Sequence, residues 1–225
     1  MEIGSDYIIK NIASIYDKYQ IMPQLGLHML RVASVGALIY DSWQGPEIHK
    51  KDIVAVLLIH DLGNIVKFTG LDEHWEGIRQ SIIKKYGMDD HEATNKIAME
   101  LGVEPRLYYL LEKQGNLLGN KDLVLSSDDY DLKICCYCDW RAAPYGIVSI
   151  TERLNNLIER KRGLPVEKIY ASLKESVIDL EKQVFSNTSI KPESITNESV
   201  NTKVNLYGKD WLKNRSHGNK NVSKS

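Results

Sequence analysis

The sequence predicts an all-α fold of about eight or nine helices. Apolar residues return in steps of three and four through most of the chain up to Phe185. No stretch alternates β-branched and polar residues between turns, as a half-buried strand would. The periodic segments are also punctuated by capping Ser and Asp residues and by stopping Gly and Pro residues.

Ile8, Ile12, Ile15, Tyr16 and Tyr19 mark a first helix. Pro23 suits the first turn of a second, which runs to about Asp41 with the stripe Leu25, His28, Val32, Val35, Ile39. The turn-rich Trp43-Gln44-Gly45-Pro46 leads to Ile53-Val54-Ala55-Val56-Leu57-Leu58-Ile59, which is apolar on every side and so belongs at the centre of the molecule. Asp52 is placed to cap this helix and Gly63 to let the chain turn out of it. Asp72 caps a helix through Trp75, Ile78, Ile82 and Tyr86, stopped by Gly87; Asp90 caps another, closed by Gly102. Pro105 opens a short helix that ends near Gly115. Ser127 or Asp128 begins a helix with the stripe Leu132, Cys135, Asp139 and Ala142 or Ala143, ended by Pro144 and Gly146. Ser149-Ile150-Thr151-Glu152 is a capping box for a helix that stops before Gly163 and Pro165. Val166, Tyr170, Leu173, Val177, Leu180 and Val184 outline the last long helix.

These helices make one domain over residues 1–185. Residues 186–225 are rich in Ser, Asn, Thr and Lys and are expected to form a disordered tail, with at most a short transient helix around Asp210–Leu212. Removing everything after Phe185 is expected to leave the fold intact. A net charge of −1, with no basic block in the folded part, gives no nucleic-acid groove. The start Met1–Asp6 is acidic where a signal peptide would be basic, and no apolar run reaches the ~20 residues of a membrane span, so a cytoplasmic protein is expected. Cys135, Cys136 and Cys138 lack the spacing of a disulfide framework or a zinc site and read as small buried hydrophobes. Composition implies no oligomeric state.

Three helices carry a polar residue on a core-facing stripe. His28 is the first; His60 with Asp61, at the end of the apolar helix, is the second; Asp139 is the third. Each has an ordinary explanation, as a satisfied core histidine or as a buried Asp paired with Arg141 or Arg153. Together they also suit metal ligation, and the carbonyls of a helix C-terminus make the field around His60 and Asp61 welcoming to a cation.

The order His28, His60-Asp61, Asp139 resembles the HD superfamily of metal-dependent phosphohydrolases. Asp139-Trp140-Arg141, Pro144, Gly146-Ile147-Val148-Ser149 and Glu152-Arg153 are similar to that family's continuation after its last Asp, so the resemblance spans about Leu25–Arg153. It implies an HD-domain helical bundle in which His28, His60, Asp61 and Asp139 bind one divalent cation (Mn, Co, Fe, Ni or Mg) per chain. It further implies hydrolysis of a small phosphate ester, such as a nucleotide, by metal-activated water, with Asp61 and Asp139 orienting that water. Arg31, Lys67 and Arg141 are candidates for the phosphate side. Binuclear members need further His ligands; His74 and His91 are available, and one metal is expected. Asn64 stands where nucleotide hydrolases of the family place an acid and another branch places Lys. An amide orients water or donates to a phosphate oxygen but cannot act as a base near neutral pH. A second expectation is therefore a catalytically weak regulatory module that binds a nucleotide or a partner protein.

Overall fold

The computed structural model describes residues 2–115, 117–160 and 166–218. Among these, eleven α-helices carry the fold: α1 (Ser5–Lys18), α2 (Pro23–Asp41), α3 (Lys50–Ile59), α4 (Glu73–Tyr86), α5 (Asp90–Leu101), α6 (Pro105–Gly115), α7 (Leu117–Ser126), α8 (Tyr130–Cys138), α9 (Ile150–Arg160), α10 (Val166–Phe185) and α11 (Asn197–Gly218). The described sheet is one antiparallel pair, β1 (Ala142–Ala143) with β2 (Gly146–Ile147). No described helix is long and apolar enough to cross a membrane.

The core is built around α3. Ile53 to Ile59 are all buried, and α3 packs against α1, α2, α6 and α8 at once, which is why its apolar surface is continuous. Helices α1 and α10 bury one stripe each, such as Ile8, Ile12 and Ile15 on α1 and Leu173, Val177, Leu180 and Val184 on α10, whereas Val32–Ala37 on α2 and Asp131–Cys138 on α8 are buried on every side. Gly163 and Pro165, expected to stop α9, lie outside the described residues, as do residues 219–225.

Helix boundaries differ from expectation where neighbouring acids compete for one cap. Asp89, not Asp90, accepts the Glu92 amide at the start of α5, and Asp129, rather than Ser127 or Asp128, accepts the Leu132 amide at the start of α8. Asp52 lies inside the first turn of α3, and His49 takes the cap position with its amide donated to the buried Asp131 carboxylate at 2.7 Å. The cysteine helix ends at Cys138; Asp139–Arg141 form a 3-10 turn and the chain then reverses through the β1–β2 pair.

Residues 186–213 do not form a disordered tail. The Gln44 amide donates to the Asn187 carbonyl and the Ser189 amide to the Ser42 carbonyl, which ties the chain after α10 to the loop after α2. Then α11 lies across α1 and α2 and buries Val200, Val204 and Trp211. Trp211 enters a slot on α2: a Cβ on Gly26 would stand 2.2 Å from its ring, and Tyr16 meets it edge-on at 5.2 Å. The division at residue 185 therefore fails at least as far as Lys213, because both sides of it share one hydrophobic core.

Candidate metal centre

His28 projects from α2, a little more than one turn from its start, and its side chain is 13% exposed. His60 closes α3 and Asp61 follows it in the turn that leads to a 3-10 helix, Asn64–Lys67. Asp139 follows the last residue of α8. Three helices packed on one another thus deliver the four side chains to one place.

Gly63 makes the turn after His60-Asp61 possible by its size. Its φ is −89°, open to any residue, but a Cβ there would stand 2.5 Å from the Thr94 amide nitrogen and 2.7 Å from the Ala93 Cβ on α5. The Gly63 amide donates to the Thr94 hydroxyl at 3.0 Å, fixing the turn against α5.

The separations suit ligands of a common ion. His28 Nε2 lies 2.9 Å from Asp139 Oδ1 and 3.6 Å from Asp61 Oδ2; His60 Nε2 lies 3.7 Å from Asp61 Oδ2 and 3.8 Å from Asp139 Oδ1. Donor atoms about 2.1 Å from a divalent ion stand about 3 Å apart when adjacent and about 4.2 Å apart when opposite. His28, His60 and Asp139 offer atoms that all lie within 4.8 Å of one another and could hold a metal ion. Asp61 adjoins this triad through its contacts with both imidazoles.

Hydrogen bonding leaves the relevant atoms free. His60 Nδ1 contacts the Leu57 carbonyl at 2.7 Å, and since a carbonyl only accepts, Nδ1 carries the proton. In the neutral ring this presents the Nε2 lone pair to the two carboxylates, the tautomer that metal-bound histidines adopt. His60 Nε2 is buried and has no hydrogen-bond partner, and Asp139 Oδ1, equally buried, has only the His28 imidazole within 3 Å. A buried ring nitrogen left without a partner beside two carboxylates is costly unless a proton or a cation lies between them.

The electrostatics agree. Burial works against a charged His60, yet Asp61 and Asp139 overcome it and push its pKa up to about 9. Burial likewise opposes an ionised Asp139, and the His28 and His60 nitrogens hold its carboxyl well below the usual range. In the metal-free protein the site attracts a proton with the field that would attract a cation.

The remaining candidates separate into near and distant groups. Asn64 is buried at the site, and its Nδ2 donates to Asp61 Oδ2 at 2.5 Å, so it holds a carboxylate in place. Lys67 is bound to Asp90 at 2.8 Å; burial lowers its pKa, but Asp61 and Asp90 raise it further and keep the ammonium charged. Arg31 donates to the Pro144 carbonyl at 3.3 Å. Arg141 is a correction: it is buried and donates to the Val148, Pro192 and Ile195 carbonyls and to the Tyr137 hydroxyl, a structural tie with no free edge for phosphate. His91 lies in a cleft of about 520 Å³ with Asp89, Lys96, Tyr108 and Lys113, which none of the four site residues lines.

Arg153, read from the sequence only as a partner for Asp139, belongs at the site. Its Nη2 lies 3.9 Å from Asp139 Oδ1. Arg141 and Arg153 stand in one block of sequence, and only the three-dimensional path of residues 192–195 distinguishes the structural guanidinium from the one at the site. No family model, no curated protein and no solved structure matches this chain, so its own geometry carries the functional argument.

Proposed function

We propose that this chain is an HD-type, divalent-metal-dependent phosphohydrolase acting on a small phosphate ester, with a nucleotide as the leading candidate. The observation that carries this reading is the convergence of His28, His60 and Asp139, with His60 Nε2 buried, without a hydrogen-bond partner and 3.8 Å from the buried Asp139 Oδ1. With Asp61 as fourth ligand, two neutral imidazoles and two carboxylates would balance one divalent charge and suit Mn²⁺, Fe²⁺, Co²⁺ or Ni²⁺, with Mg²⁺ a weaker match for the imidazoles. Such an ion supplies Lewis acidity toward water and a phosphoryl oxygen.

The protein's own contributions follow from its contacts. The Leu57 carbonyl fixes the ring of His60, and the Asn64 amide fixes the carboxylate of Asp61. Packing of α3 between α2 and α8 holds the histidines and Asp139 in register. Cys135, Cys136 and Cys138 are free buried thiols, in keeping with a cytoplasmic enzyme.

Elemental analysis of the purified chain after loading with each metal, followed by a screen of phosphomonoesters, dinucleotides and cyclic nucleotides, tests the reading. One ion per chain and turnover of at least one ester class are expected. Asp139→Ala should lose the ion. Stoichiometric metal without turnover of any ester would favour the second reading, a regulatory nucleotide- or protein-binding module. That reading draws on Asn64, which puts an amide beside Asp61 where a carboxylate base would otherwise stand.

A further inference from the structure

Arg153 is a buried cation with an unused edge. Its side chain is 13% exposed, its Nε is fully shielded from water, and that Nε has no hydrogen-bond partner. An Arg held only to neutralise Asp139 would turn its planar fork onto the carboxylate and make two short hydrogen bonds. Instead the contact is 3.9 Å, and it is the His28 imidazole, at 2.9 Å, that approaches Asp139 Oδ1 closely. The guanidinium thus lies beside the ligand group without closing on it.

Charge balance gives this edge a purpose. Two carboxylates neutralise a divalent ion, so an arriving phosphate needs a further cation. Lys67 is bound to Asp90, Arg31 reaches the Pro144 carbonyl, and Arg141 is consumed by three carbonyls and a hydroxyl. Arg153 is adjacent to Asp139 and retains a donor. A planar fork of N–H donors matches two oxygens of one phosphoryl group.

We propose that Arg153 is the phosphate clamp of this site, its guanidinium, whose Nη2 stands 3.9 Å from Asp139 Oδ1, binding oxygens of the phosphoryl group alongside Asp139. The assignment deepens the phosphohydrolase reading and rests on it, but its test does not depend on turnover.

The probe is inorganic phosphate titrated onto Mn²⁺-loaded protein, followed by paramagnetic broadening of the ³¹P resonance. Mn²⁺ stoichiometry and a thermal melt are recorded in parallel. Arg153→Gln should keep one Mn²⁺ per chain and weaken phosphate binding by about tenfold to a hundredfold, the worth of a charge-assisted hydrogen bond. Arg153→Lys keeps the charge without the fork and should fall between the two. Should Arg153→Gln not fold, Arg153→Lys decides alone: phosphate affinity equal to wild type overturns the clamp. Unchanged phosphate affinity in Arg153→Gln overturns it too, as does loss of Mn²⁺ in that variant, which would make Arg153 a support for Asp139. A wild-type protein that binds no phosphate has the same consequence. Phosphate bound through Arg153 without turnover of any ester supports the clamp and overturns the hydrolase; turnover with a phosphate-indifferent Arg153→Gln does the reverse.

Discussion

Asn64 donates to Asp61 from three residues further along the chain, and this contact sets what a substitution there can do. Removing the amide frees the carboxylate to rotate but leaves every proposed ligand in place. Asn64→Ala should therefore keep one metal per chain and weaken its binding by about ten- to a hundredfold, the usual cost of losing a partner behind a ligand. A competitive titration against a chelating dye measures this. Retention of full affinity would leave Asn64 without a role. Much of the site was legible at this scale because a His or Asp on an apolar stripe violates the pattern around it. Arg153 was less legible, since an Arg near a buried Asp in the sequence reads first as that carboxylate's neutralising partner.

At the scale of the element, α11 is the largest departure from what the sequence suggested. Its composition is that of an unfolded segment, yet Val200, Val204 and Trp211 fall at steps of four and seven and share one face. Averaging over a polar stretch hides a stripe of three apolar residues. The slot that receives Trp211 is invisible for another reason: it is the missing side chain of Gly26, on a helix nearly two hundred residues away. Trp211→Ala should cost about 3–5 kcal/mol, lowering the thermal midpoint by roughly 6–20 °C in a chain of this size. Gly26→Ala should cost about 1–3 kcal/mol by overpacking, although Ala is the better helix former. In the Trp211→Ala background the same change should stabilise by about 1 kcal/mol, since only helix propensity remains. Thermal melts of the four proteins complete the cycle, and additive effects would mean that ring and glycine do not meet.

Across the whole molecule, Glu100 on α5 joins three helices. It accepts from Tyr86 at the end of α4 and from Tyr19 just beyond α1, and pairs with Lys85 and Lys18. The Lys85 ammonium and then the Tyr86 hydroxyl outweigh burial and hold its carboxyl down to about 2, against an ordinary value of 4.5. A depressed carboxylate stabilises the fold above its unfolded pKa and loses that contribution as pH falls through the folded one. Glu100→Gln should thus melt lower than wild type at pH 7, with the gap narrowing from about pH 4.5 and closing near pH 2. Because Glu100 is a third exposed and Lys85 more than half, added salt should shrink the gap as well. A gap that persists unchanged at pH 2 would assign the effect to shape and not to charge. The cap and helix pattern made the individual helices readable, but contacts of this kind, between residues 14 and 81 apart, leave no trace in local spacing.

The seating of Trp211 on Gly26 also sets an order of events in synthesis. The two residues are separated by 185 positions, so at about 5–20 residues per second the helix that carries His28 emerges roughly 10–40 s before its cover is made. During that interval the ring of Tyr16 and the bare backbone at Gly26 stand open as an apolar notch on the nascent chain. A chaperone that holds exposed apolar helices would find its client there, and the arrival of Trp211 would be the event that releases it.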